Sequence, residues 1–91
     1  MKTKVLNYRV IIEPEKYEDG SLVYSASCPT LGVHDYGDTV EGVLASIKDG
    51  IELAVESLVK EGKEVPVDDV EKQIIATTGI NVPSSWGISV T

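Results

Sequence analysis

The side chains that could do chemistry in this chain are one histidine, one cysteine and fifteen carboxylates. His34 stands beside Asp35 and near Asp38, and His with carboxylates can hold a metal ion or act as a general base. The grouping is weak evidence for either, because Asp38 also stands where a helix cap is expected. We interpret His34 as a structural or solvated residue.

Two other arrangements could support catalysis. Cys28 would be a nucleophile only with a base nearby, and its place on the inward side of a predicted strand makes it a small core residue. A metal-dependent nuclease needs several carboxylates that converge on two cations, whereas Glu52 and Glu56 have the spacing of a solvated helix face and Glu13 is the one acid at the end of the first strand. We therefore predict a protein that is not an enzyme, with no catalytic, metal-binding or cofactor-binding residues.

A long amphipathic helix is predicted from Asp38 to Glu61, since apolar residues recur there at three- and four-residue steps. They form one stripe: Val40, Val43, Leu44, Ile47, Ile51, Ala54, Val55 and Leu58. Asp38, with Glu41 three residues later, predicts the cap at the start of the helix. Gly62 predicts a left-handed residue after its last turn. Whatever covers the stripe forms the core.

Three strands are predicted before the helix. The first runs from Val5 to Glu13 and stops at Pro14, with Tyr8, Val10 and Ile12 on its inward side. An Asp19–Gly20 turn joins it in a hairpin to the second strand. The second strand points Leu22, Tyr24, Ala26 and Cys28 towards the helix and ends before Pro29. The third occupies residues 33–36.

The end of the chain is expected to be extended. Residues 63–67 leave the helix in an extended conformation because of Pro66, and residues 68–72 form a short turn or a loop. No charged residue follows Lys72, and the alternation of Trp86, Ile88 and Val90 predicts a final strand. The fold class is α+β in the order β-β-β-α-β, as one domain over residues 1–91.

Charge and composition limit the function. Fifteen acidic residues against eight basic ones give a net charge of −7, so direct nucleic-acid binding is not expected. No apolar run is long enough for a membrane helix and no signal peptide is seen, so we expect a cytoplasmic protein. The acidic surface either attracts a basic partner or serves solubility alone.

Residues 8–67 carry an ordered set of short motifs. A strand begins Tyr-Arg-Val-Ile-Ile-Glu, Asp19–Gly20 follows, and Leu-Gly comes shortly after Pro29. The remaining parts are Gly37-Asp38-Thr39, Glu41, Ser46-Ile-Lys-Asp-Gly-Ile51 and Gly62-Lys-Glu-Val-Pro66, with Gly32, Gly37, Asp38, Thr39 and Gly62 as the structural positions. This order of motifs resembles the HicB-like antitoxin domain family.

The resemblance implies a truncated ribonuclease-H-like fold and a binding function. Many family members neutralise a small basic toxin of the HicA type, which cleaves RNA, and many carry a C-terminal module that binds DNA. This chain departs from the family pattern at Gly42 and Gly50, where helix-favouring Ala is usual. Its residues 63–91 are neither basic nor helical in pattern, so the DNA-binding module is expected to be missing.

The sequence thus predicts an antitoxin that covers the active site of a HicA-type toxin and associates with itself through a sheet edge or the uncharged tail. The alternative is an orphan interaction or regulatory protein of the same fold, without a toxin. The residues predicted to bind the partner lie around the hairpin and on the helix: Glu13, Glu15, Tyr17, Glu18, Asp19, Glu52 and Glu56.

Overall fold

The computed structural model describes residues 3–68 and 74–89. Three strands precede one helix, namely β1 (Ile11–Lys16), β2 (Leu22–Cys28), β3 (Val33–Gly37) and α1 (Val40–Lys60). The strands form an antiparallel sheet in the order β1-β2-β3, and α1 packs on one face of it, against β3 and β2. The predicted small α+β fold is confirmed.

The core lies between the middle strand and the helix. Ala26 and Cys28 of β2 and Val43 and Ile47 of α1 are its buried residues. Partly buried side chains surround them: Tyr8, Val10, Ile12, Tyr24, Leu31, Val33 and Ile51. The predicted inward sides of the first two strands are confirmed at these positions but not at Leu22, which is 47% exposed. Cys28 is a core residue.

The sheet covers only part of the apolar stripe on α1. Val43 and Ile47 are fully buried. The stripe residues nearer the C-terminal end of α1 are half-buried, namely Ile51, Ala54, Val55 and Leu58. Val40 and Leu44 remain 41% and 47% exposed. Within the described residues, a three-stranded sheet under one helix of 21 residues therefore leaves apolar helix surface without cover.

Small residues bring α1 close to β3. A Cβ atom on Gly37 would lie 3.0 Å from both the Cβ and the backbone nitrogen of Val43, and one on Gly50 would lie 3.1 Å from Cγ1 of Val33. Glycine at position 50 costs about 1 kcal/mol in helix propensity relative to alanine. The close approach to β3 accounts for its presence there.

The two ends of α1 differ in how well the sequence located them. Thr39, not Asp38, is the N-cap, because its Oγ1 accepts a hydrogen bond of 2.9 Å from the backbone N–H of Gly42. The predicted cap was therefore wrong by one residue. At the other end Gly62 has φ +70°, and the N–H of Lys63 donates to the carbonyl of Leu58 at 2.9 Å. This left-handed ending was predicted correctly.

Strand β1 begins and ends later than predicted. It runs through Pro14, which faces Tyr24 of β2, and ends at Lys16. Proline is tolerated because β1 is an edge strand in the part of the chain that the structure describes. The hairpin turn was predicted correctly: Gly20 has φ +89°, and the Asp19 carboxylate accepts bonds from the N–H and the hydroxyl of Ser21.

The segment after α1 returns past the first strand. The Tyr8 hydroxyl donates to the carbonyl of Pro66 at 2.7 Å, and the N–H of Arg9 donates to Oδ2 of Asp68 at 2.9 Å. These bonds hold residues 66–68 beside residues 8–9. Apart from Asp68, the turn or loop predicted for residues 68–72 lies outside the described residues.

The predicted final strand is not found in residues 74–89. Trp86, which was predicted to lie on one side of that strand, is 59% exposed, and Val90 lies outside the described residues. The apolar residues alternate there as predicted, but the described part of the segment does not pair with the sheet.

The contact at Gly37 yields a stability prediction. Gly37→Ala should lower the free energy of unfolding by about 1–3 kcal/mol, because the added methyl group meets Val43 and cannot be accommodated without moving β3 or α1. Gly79→Ala is the control, since an added Cβ there meets nothing within 4 Å. Urea unfolding followed by circular dichroism measures both. Equal stability of the two variants would contradict the close packing of α1 on β3.

Candidate functional site

The face of the sheet opposite α1 is left uncovered by the described residues. We call it the open face, and the strand pairings define it. Two rows of three residues cross all three strands, and a third row crosses β1 and β2. The rows are Ile11 with Ser27 and His34, Glu13 with Ser25 and Tyr36, and Glu15 with Val23.

The open face combines acidic and aromatic side chains. Glu13 and Glu15 are exposed on β1, and Tyr36 on β3 is 61% exposed. They border a shallow depression of about 180 Å³. Carboxylates can pair with Lys or Arg, and an aromatic ring can stack against a guanidinium. The open face is therefore suited to a basic surface.

Asp35 does not belong to this face. Its neighbours His34 and Tyr36 are on the open face, and Asp35 is on the helix side, opposite Ala26. Its carboxylate accepts a hydrogen bond from the hydroxyl of Ser46 on α1 and another, of 2.8 Å, from the N–H of Tyr36. These two bonds, the first above all, hold the pKa of Asp35 below its ordinary value.

The pairing of His34 with Asp35 is thus ruled out as a catalytic dyad by strand geometry. Successive side chains of a strand point to opposite faces, and the Asp35 carboxylate is held at Ser46. Among residues 3–68 and 74–89 no group of three or more His, Cys, Asp or Glu side chains is arranged to hold a metal ion.

The hairpin lies at one end of the open face. Tyr17 is 53% exposed, and Glu18 is exposed beside it. Asp19 is also exposed, but its carboxylate is engaged by Ser21, whose hydroxyl and N–H hold the pKa of Asp19 below its ordinary value. Asp19 therefore stabilises the turn. For a partner, its carboxylate offers only its negative charge.

Glu52 and Glu56 lie elsewhere. They border a groove beside α1, on the helix side of the sheet, and Glu56 forms an exposed ion pair of 3.0 Å with Lys60. The predicted partner-binding residues therefore divide into two groups. Those on β1 and the hairpin lie on or next to the open face, and the two on α1 do not.

The predicted partner-binding residues did not include Tyr36, which the structure places in the candidate site. The signal was present in the alternation of β3, where Tyr36 is two residues from His34 and on the same side. What the sequence could not supply was the register that sets Tyr36 in one row with Glu13.

Comparison with known proteins finds a relative that covers most of the chain. Over 68 residues the chain is 43% identical to a UPF0150 protein of Synechocystis sp., and the match covers 74% of this chain and 81% of the relative. No protein-family model matches the chain, and no solved structure matches it. None of the helices in the described part of the chain is long and apolar enough to cross a membrane.

The Ser46–Asp35 contact yields a prediction about pH. The folded pKa of Asp35 lies below its unfolded value, so its stabilising effect is complete above the unfolded pKa, near 4, and is lost as the pH falls through the folded pKa. Ser46→Ala removes the main cause and should raise the folded pKa of Asp35 towards its ordinary value. Carboxyl ¹³C NMR titration measures this.

Asp19 is the internal control for that titration, because its hydrogen bonds go to Ser21 and do not involve α1. Its pKa should be the same in the parent and in Ser46→Ala. An unchanged Asp35 titration in the variant would show that the Ser46 hydroxyl does not hold this carboxylate in solution.

Proposed function

The chain belongs to the UPF0150 family, and we propose that it is a non-catalytic binding protein, a HicB-like antitoxin. In this proposal it neutralises a small basic toxin of the HicA type by covering the surface with which the toxin cleaves RNA. The proposal joins the resemblance of residues 8–67 to HicB-like domains with the character of the open face.

The observation that carries the proposal is the row of Glu13, Ser25 and Tyr36 on an uncovered sheet. An RNA-cleaving protein needs basic side chains to approach phosphates. Glu13 and Glu15 offer two carboxylates to such side chains, and Tyr36 offers a ring on which a guanidinium can stack. The same face thus supplies both the charge and the aromatic contact that an interface with a basic protein uses.

Two further features support this reading. The open-face residues stand on hydrogen-bonded strands, so they are held in place before a partner arrives, which limits the entropy lost on binding. The net charge of −7 favours encounter with a basic partner over a wide range of orientations.

Catalysis has no part in the proposal. A ribonuclease-H-like nuclease would need converging carboxylates, and here Glu13 and Asp35 lie on opposite faces of the sheet. The Asp35 carboxylate is already engaged by Ser46 and by the N–H of Tyr36.

Charge reversal tests the proposal and locates the interface. The probe is the small basic protein encoded beside the gene for this chain, and its affinity is measured by titration calorimetry at low and high salt. Glu13→Lys with Glu15→Lys should weaken binding by about ten- to a hundredfold, because like charges across an interface cost up to several kcal/mol. Co-expression should then no longer restore growth of cells that make the toxin.

Glu52→Lys with Glu56→Lys is the matched comparison. It changes the net charge by the same amount, but on the other side of the sheet, so binding should change much less. If both pairs weaken binding equally, general charge and not the open face is responsible. If no basic neighbour is encoded, or if it neither binds nor harms cells, the orphan interaction protein becomes the better description.

A further inference from the structure

A groove of about 900 Å³ lies beside α1, on the side of the sheet away from the open face. One wall is formed by Val5, Leu6 and Val10, from the segment that leads into β1. The other wall is formed by Leu44, Ile51 and Val55 of α1. Val5 is 83% exposed and Leu44 is 47% exposed, so the described part of the chain leaves the groove unfilled.

The rim of the groove carries charges of both signs. Lys4 and Lys48 stand there with Glu41, Glu52 and Glu56. A rim of mixed charge does not select a strongly acidic or strongly basic ligand. The selection rests with the apolar walls, which favour an apolar and uncharged segment because no charge then has to be desolvated.

The chain itself contains such a segment. Residues 74–89 carry no charge, and their large apolar side chains are exposed, with Ile74 94%, Ile75 79%, Ile80 81%, Trp86 59% and Ile88 61% accessible. Exposed apolar side chains concentrated in one segment are typical of a surface that binds another surface. We call residues 74–89 the tail.

The tail does not fill the groove of its own copy, because none of its residues contributes to the groove walls. The radius of gyration is 17.8 Å, whereas a compact chain of this length has about 12 Å. Residues 66–68 are fixed beside Tyr8 and Arg9, and residues 74–89 are exposed along their whole length.

From these observations we propose that the tail of one copy binds in the groove of a second copy, and that the tail of the second copy binds in the groove of the first. Each copy has one tail and one groove, so a two-fold axis occupies both and closes the assembly at two copies. From Leu44 to Val55 the groove runs about 16 Å along α1, which roughly five residues of extended chain can span. The tail is long enough.

The inference does not rest on the proposed function, since the groove and the open face lie on different sides of the sheet. The first test is the mass of the full-length protein in solution, from light scattering and sedimentation equilibrium. We expect a dimer at micromolar concentration. Ile80→Asp in the tail and Leu44→Asp in the groove should each raise the dimer dissociation constant by at least about tenfold, because each places a charge in an apolar contact.

Leu53→Asp is the matched control. Leu53 is on the same helix and is 65% exposed, but it is not part of the groove, so the dimer should be unaffected. A parent protein that is monomeric, or a dimer that survives both Ile80→Asp and Leu44→Asp, would overturn the proposal.

Cross-linking identifies whose tail is in the groove. Leu44→Cys in one copy and Ile80→Cys in a differently tagged copy should be joined by a flexible bismaleimide when the two are mixed. Cys28 is fully buried and does not compete. If the reagent joins the two cysteines only when both are in the same chain, the tail fills its own groove and the exchange between copies is wrong.

Discussion

Helix α1 approaches β3 so closely that a Cβ atom on Gly37 or Gly50 would press against the other element. Two residues of strand advance about 6.6 Å, and three or four residues of helix advance about 4.5–6 Å. Contacts between β3 and α1 can therefore recur at similar intervals along both elements. The contacts that mark this alignment are Gly37 with Val43, Asp35 with Ser46, and Val33 with Gly50.

Because α1 packs against β3 and β2, it does not cover the side of the sheet where the chain enters β1. The gap becomes the groove between the segment before β1 and the outer flank of the helix. The same shortage of elements leaves the other face of the sheet uncovered by residues 3–68 and 74–89. A single helix can cover only one face of a sheet, so both candidate surfaces follow from the number of elements and from where α1 is held.

The sequence predicted what depends on local pattern. Alternation assigned the inward residues of β2, the Asp19–Gly20 turn followed from turn chemistry, and Gly62 marked the end of α1. Errors arose where several residues could serve equally well. Asp38 and Thr39 are both good caps, and only the path of the chain from Gly37 decides between them. The proline at position 14 ends a central strand but not an edge strand, and edge position is a property of the whole sheet.

The candidate site was only half predictable for the same reason. The acidic residues of β1 could be read from the sequence, but their row with Tyr36 depends on the registers of two strand pairs. The tail shows most clearly what the sequence does not predict. The alternation at Trp86 and Ile88 predicts that one side of this segment is covered, but it does not identify the surface that covers it. If a second copy covers the tail, as we propose, the alternation of its apolar residues predicts a strand that the sheet of one chain does not pair with.

The two surfaces differ in the forces that they would use, and this separates assembly from partner binding. The open face offers exposed carboxylates, whose attraction for a basic protein is screened by salt. The groove and the tail offer apolar, uncharged contacts, which salt does not weaken in this way. Since the sheet stands between the two surfaces, a dimer built by tail exchange would keep both open faces accessible. Each dimer would then present two acidic sheets, which raises the local concentration of binding sites for a basic partner without competing for it.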